Sequence, residues 1–74
     1  MMYEIRKYYQ NRPNSYAFLD KECSVEKTEV SNEKAVQYME LLEAIGYKRH
    51  ENNSSIFYDI RFDDTHSEEV IFYK

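Results

Sequence analysis

The chain has 74 residues, a formal net charge of −4 and a pI near 5.1, with eight Tyr, four Phe and a single Gly, Pro and Cys. A chain of this length forms one domain, and such a domain buries only about 60% of its unfolded surface. One Cys excludes an internal disulfide and a Cys-rich zinc site, and one Gly excludes the glycine loops that cradle phosphate.

Without staples, large side chains or a partner subunit must supply burial, and each buried aromatic removes about 150–250 Å² from water. In residues 3–9, Tyr3, Ile5 and Tyr9 fall on one face at period two, with Glu4, Arg6 and Tyr8 opposite. The segment from Gln10 to Ser15 holds the only Pro, Pro13, and reads as a turn. Tyr16-Ala17-Phe18-Leu19 resumes an extended run, which predicts a first hairpin with strands over 2–9 and 15–22. Residues 23–30 alternate Cys23, Val25 and Lys27 with Ser24, Glu26 and Thr28. They could lengthen the second strand, but a connection or a bulged strand end is the preferred reading.

Ser31 suits a helix N-cap, because its hydroxyl can accept from a first-turn amide. Glu33 then lies where the helix dipole favours an anion. Ala35, Tyr38, Met39, Leu42 and Ile45 recur at three- and four-residue spacing as a buried stripe flanked by Leu41. Glu33, Gln37, Glu40 and Ala44 form the wet face, and Gly46 ends the helix. Tyr47–Glu51 reads as a short polar strand, and Asn52-Asn53-Ser54-Ser55 as a turn. In residues 56–62, Ile56, Tyr58, Ile60 and Phe62 share one face, and Phe57, Asp59 and Arg61 the other. Residues 63–67 turn the chain, and Val70–Tyr73 closes it as a strand. The prediction is an α+β domain of order ββαβββ over residues 1–74, a single helix on a mainly antiparallel sheet.

Charge is uneven along the chain. Residues 20–46 carry seven acids against three bases, and 63–74 carry four acids against one base, while 1–19 are net positive. This is not the basic footprint of a duplex nucleic-acid binder. The N-terminal residues Met1–Lys7 lack an apolar stretch of signal-peptide length, and no window approaches the roughly 20 apolar residues of a membrane span. With its lone Cys, the chain is expected to be cytoplasmic, with no membrane contact.

Groups that could do chemistry are sparse. His50 and His66 lie on separate elements. Asp63 and Asp64 beside His66 lack the alternating ligands and Gly turn of a calcium loop. Cys23 has Lys21 and Lys27 nearby but also Glu22 and Glu26, so no net field activates it, and a buried, inert thiol is expected. No catalytic residue, cofactor or metal is nominated, and the chain reads as non-enzymatic.

Two binding modes remain. Glu33, Glu40, Glu43, Asp63, Asp64, Glu68 and Glu69 could meet a basic protein surface, with charge steering the approach. Alternatively, Tyr8 and Tyr9 could stack single-stranded bases, with Arg6, Lys7 and Arg12 on phosphate. The acidic balance disfavours the second, because phosphate contact dominates nucleic-acid affinity. The small size, the acidity and the wealth of Asn, Lys, Glu and Tyr resemble short reading frames of phages and mobile elements from AT-rich bacteria. That resemblance implies a protein-binding inhibitor of a host nucleic-acid-handling or defence protein. A self-associating structural domain, closed as a homodimer, is a third reading.

Overall fold

The computed structural model describes residues 1–9, 21–63 and 65–74, with backbone alone at Tyr9 and over 21–26. The expected turn around Pro13, the run Tyr16–Leu19, Arg12 and Asp64 fall outside these residues, as does the environment of the Cys23 thiol. The elements run β1 (Met2–Tyr9), β2 (Lys21–Glu29), α1 (Asn32–Ala44), β3 (Lys48–Glu51), β4 (Ser55–Arg61) and β5 (His66–Tyr73). This is the ββαβββ order, with one helix and a five-stranded, wholly antiparallel sheet ordered β2-β1-β5-β4-β3.

Period-two alternation in β1, β4 and β5 sorts the sheet into two faces. In register, Tyr3 sits opposite Phe72 and Ile5 opposite Val70; across the next ladder Phe72 meets Ile56 and Val70 meets Tyr58. These residues lie beneath the helix, where Tyr58, Val70 and Phe72 are buried with Ala35, Met39 and Leu42. Aromatic edges lock this layer. The Phe72 ring takes Tyr38 and Tyr58 edge-on at centroid distances of 5.6 and 6.0 Å, and Tyr38 meets Tyr3 edge-on at 5.3 Å. Such pairs contribute about 0.5–1.5 kcal/mol beyond area burial.

The helix begins as its sequence dictates. Ser31 Oγ accepts from the Lys34 amide at 3.2 Å, and Glu33 lies in the first turn. It ends in a Schellman closure: the Tyr47 amide donates to Leu42 O at 2.9 Å and the Gly46 amide to Glu43 O at 3.2 Å, with Gly46 at φ +109°.

Three expectations are corrected. Ile45, placed in the buried stripe, is 59% exposed, because it is already the C-cap and turns away with the closing loop. Residues 23–29, read as a connection or a bulged strand end, are full members of β2, which pairs with β1 through a register shift between Lys7 and Tyr9, so the connection is overturned. The residues of β2 are mostly polar and charged, so no sustained apolar alternation marks the strand. The third is β5, which starts at His66 rather than Val70, so Ser67, Glu68 and Glu69 are strand residues in the middle of the sheet. Correspondingly, Phe62 lies just past β4 and is exposed.

Candidate functional site

The register resolves much of the charge map. Arg6 and Lys7 on β1 face Glu69 and Glu68 on β5, pair for pair. Two residues nominated for phosphate and two nominated for a basic partner are therefore cross-strand neighbours, an arrangement that stabilises sheets. They also point to opposite faces, with Lys7 and Glu68 on the helix side and Arg6 and Glu69 on the other. Glu68 accepts from the Tyr47 hydroxyl at 3.3 Å and lies 3.3 Å from His66 Nε2. Burial, then the Glu68 charge, pushes the Tyr47 phenol up to about 12.

The face away from the helix carries Glu4, Arg6, Tyr8, Lys27, Phe57, Asp59, Glu69, Ile71 and Tyr73 by strand alternation. Glu4 is only 2% exposed although it lies on this face. Arg6 bonds one carboxylate oxygen, the Tyr73 hydroxyl donates to the other at 3.2 Å, and Lys27 Nζ sits 3.7 Å away. Burial alone would push the Glu4 carboxyl up, but these bonds and charges outweigh it and hold it below its ordinary value. Arg6 is held more firmly protonated by hydrogen bonds with Tyr8 and Glu4. Two members of the nominated base-stacking group, Arg6 and Tyr8, are thus engaged within the sheet. The Tyr9 ring and Arg12 lie outside what is described. Among the other tyrosines, Tyr3, Tyr38, Tyr47 and Tyr58 belong to the helix-side layer.

Beside Glu4, a depression of about 220 Å³, open to solvent, is lined by Asn52, Ser55, Phe57, Glu69, Ile71 and Tyr73. One end is built by the β3–β4 turn, where Asn52 Oδ1 accepts from the Ser54 and Ser55 amides, each at 2.9 Å. Glu69 forms the other end and lies directly across from Asp59. Burial, with Asp59 adding to it against the pull of Arg6, raises the Glu69 carboxyl above its ordinary value. Asp59 Oδ1 is 2.9 Å from His50 Nε2, and the His50 ring stacks on Phe57 at 4.8 Å.

Glu33, Glu40 and Glu43 stand apart from all this, on the outer side of α1. All three side chains are exposed, and none of their carboxylates is hydrogen-bonded or ion-paired to another described residue. Their seven- and three-residue spacing puts them on one side of the helix, over about 15 Å from first to last. Exposed Val36 lies among them, and Leu41, 55% exposed, borders them. Sequence reasoning placed Leu41 on the flank of the stripe but gave no weight to it or Val36 as surface residues. Asp63, the remaining described candidate, is exposed in the β4–β5 turn, its carboxylate accepting from the Thr65 amide and hydroxyl at 2.7 and 2.9 Å.

Among the described residues, no group of three or more His, Cys, Asp or Glu is placed to hold a metal ion, and no helix is long and apolar enough to cross a membrane. Comparison of the chain with protein-family models, curated proteins and solved structures finds no match.

Proposed function

We propose that this protein acts without catalysis, by binding another protein through the outer side of α1. The observation that carries the reading is the combination of three carboxylates without described partners, Glu33, Glu40 and Glu43, with exposed Val36 and Leu41 on one helix. A helix face that mixes apolar side chains with its charges has the make-up of an interface. An interface uses both, the apolar groups for burial and the charges for partner choice and encounter rate. The acids favour a basic partner surface, such as that of a nucleic-acid-handling or defence protein. An inhibitor that presents carboxylates where phosphates would sit is the finer form of the proposal.

Direct single-strand binding is the competing reading. It is disfavoured because Arg6 is already engaged with both Glu4 and Tyr8. Self-association has separate support, since β2 lies at the sheet edge and pairs only with β1 among the described strands.

The test is the triple charge reversal Glu33→Lys, Glu40→Lys, Glu43→Lys, compared with wild type in capture from the source cells and in anisotropy titrations with single-stranded oligonucleotides. The reversed sites are exposed, so folding is retained. Loss of the captured protein partner is the expected result. An unchanged partner affinity, or oligonucleotide binding by wild type that the reversal strengthens, overturns the reading.

A further inference from the structure

We propose that β2 pairs antiparallel with the β2 of a second copy of this chain, with Thr28 on the two-fold axis and Lys27 opposite Glu29 of the second copy. The inference rests on the self-association reading above, which it deepens, and requires nothing of the outer face of α1. The hydrogen-bond phase of β2 decides which backbone groups are on offer. Val30 N donates to Met1 O at 2.9 Å and the Met1 ammonium donates to Val30 O at 2.6 Å, so these two residues form a hydrogen-bonded pair. Antiparallel pairs alternate in kind. Thr28, opposite Tyr3, therefore directs its backbone groups to β1, while Lys27, opposite Glu4, and Glu29, opposite Met2, aim theirs away from it. No other described strand lies on that side.

Charge then selects the register. The phase allows only registers in which outward-facing residues meet, and in each of these one residue of β2 lies opposite its own copy. Centring on Glu26, Lys27 or Glu29 sets like charges directly across the axis. Centring on Val25, or on a residue before it, uses residues 21–24, where the register between β2 and β1 shifts. Centring on Thr28 puts Lys27 opposite Glu29 twice, once on each side of the axis, with Thr28 meeting Thr28 between them. Opposite charges and Thr pairs are among the cross-strand neighbours that stabilise sheets. All three side chains are exposed, Lys27 at 65% and Glu29 at 66%. Lys27 Nζ lies 3.7 Å from Glu4, and the Met1 ammonium 2.9 Å from Glu29. The pairing thus continues an alternation of sign that runs from Arg6 through Glu4 and Lys27 to Glu29 of the second copy and its N-terminal ammonium. The axis stands perpendicular to the sheet, so both helices lie on the same side of the joined sheet and the two copies present their α1 faces together.

The experiment is sedimentation of the full chain over a range of protein concentrations, with disulfide trapping as the test of register. Wild type is expected to dimerise at high concentration. Glu29→Lys is expected to weaken the dimer about tenfold, because it sets Lys against Lys27 on both sides of the axis, and adding Lys27→Glu is expected to restore it. Circular dichroism checks that each variant is folded. In a Cys23→Ser background, Thr28→Cys is expected to give a covalent dimer with oxidised glutathione. Residues opposed in a non-hydrogen-bonded pair have Cα atoms about 4.5 Å apart, within disulfide reach. Glu26→Cys, which this register holds away from its own copy, is expected to stay monomeric on a denaturing gel. A dimer that cross-links through Glu26→Cys rather than Thr28→Cys, or that is indifferent to Glu29→Lys, overturns this register and leaves self-association standing. A monomer at every concentration overturns both. Neither result touches the helix-face reading, which the charge reversals on α1 test separately.

Discussion

Two glutamates on the same sheet face are expected to respond oppositely to the same substitution. Glu4→Gln removes a carboxylate that is 2% exposed and bound by Arg6, Tyr73 and Lys27. A hydrogen bond to a charged group contributes about 1.5–3 kcal/mol. Arg6 is 38% exposed and Lys27 65%, so both rehydrate once the charge is gone, which brings the expected loss to about 1–2 kcal/mol. With a urea slope of about 1 kcal/mol/M for a domain this small, the midpoint at neutral pH drops by about 1–2 M. Glu69→Gln instead removes a like-charge pair with Asp59 and keeps an oxygen that can accept from Tyr8, so the midpoint holds or rises, by about 0.5 kcal/mol in free energy. The pH dependence follows from the shifts. The folded-state Glu4 carboxyl lies below its ordinary value of 4.5, so its contribution is complete above that value and is lost as pH falls through the lower, folded one. Glu69 is raised, so its penalty is present near neutrality and is relieved as pH falls through its folded value. Urea melts of wild type and both variants at neutral and acidic pH test this, with wild type and Glu4→Gln converging in acid. If Glu4→Gln leaves the neutral midpoint unmoved, or both variants shift it in the same direction, the account of this face is wrong.

Truncating the core stripe, by Met39→Ala or Leu42→Ala, should cost about 2–5 kcal/mol in a denaturant melt. Leu41→Ala and Ile45→Ala, at exposed positions on the same helix, should stay within about 0.5 kcal/mol by the same assay. Gly46→Ala should cost about 1–2 kcal/mol through backbone strain at φ +109°, not through a clash, since the nearest atom to an added Cβ is Ile60 Cδ1 at 3.9 Å. Sedimentation analysis should show dimer formation through the β2 edge at high protein concentration, and a clean monomer would remove the self-association reading.

The fold was legible wherever burial imposes a period. Ser31, Gly46 and the triplet Ala35, Met39 and Leu42 mark the helix, and the alternation of Ile56 and Tyr58 marks β4. The short polar edge strand β3 was read as a strand, but the full extent of β2 and the start of β5 were not, because β2 is mostly polar and charged, and because Glu68 and Glu69 look like loop residues until their partners are known. The pairing of Arg6-Lys7 with Glu69-Glu68 was a usable signal: two adjacent bases and two adjacent acids in elements that could be neighbours. Of the site, Glu33, Glu40 and Glu43 could be read from helical spacing. The hollow beside Glu69 could not, since it depends on which side chains of β4, β5 and the Asn52 turn share a face.

The central claim, that the outer side of α1 is a protein interface, is tested most directly by placing a photoactivatable benzophenone side chain at Val36 and irradiating the cells in which the protein naturally occurs. A discrete protein adduct is predicted, whose yield falls as salt is added to lysates before irradiation and is lost when Glu33, Glu40 and Glu43 are reversed to Lys. Adducts with nucleic acid alone, or a protein adduct indifferent to both salt and charge reversal, would contradict it.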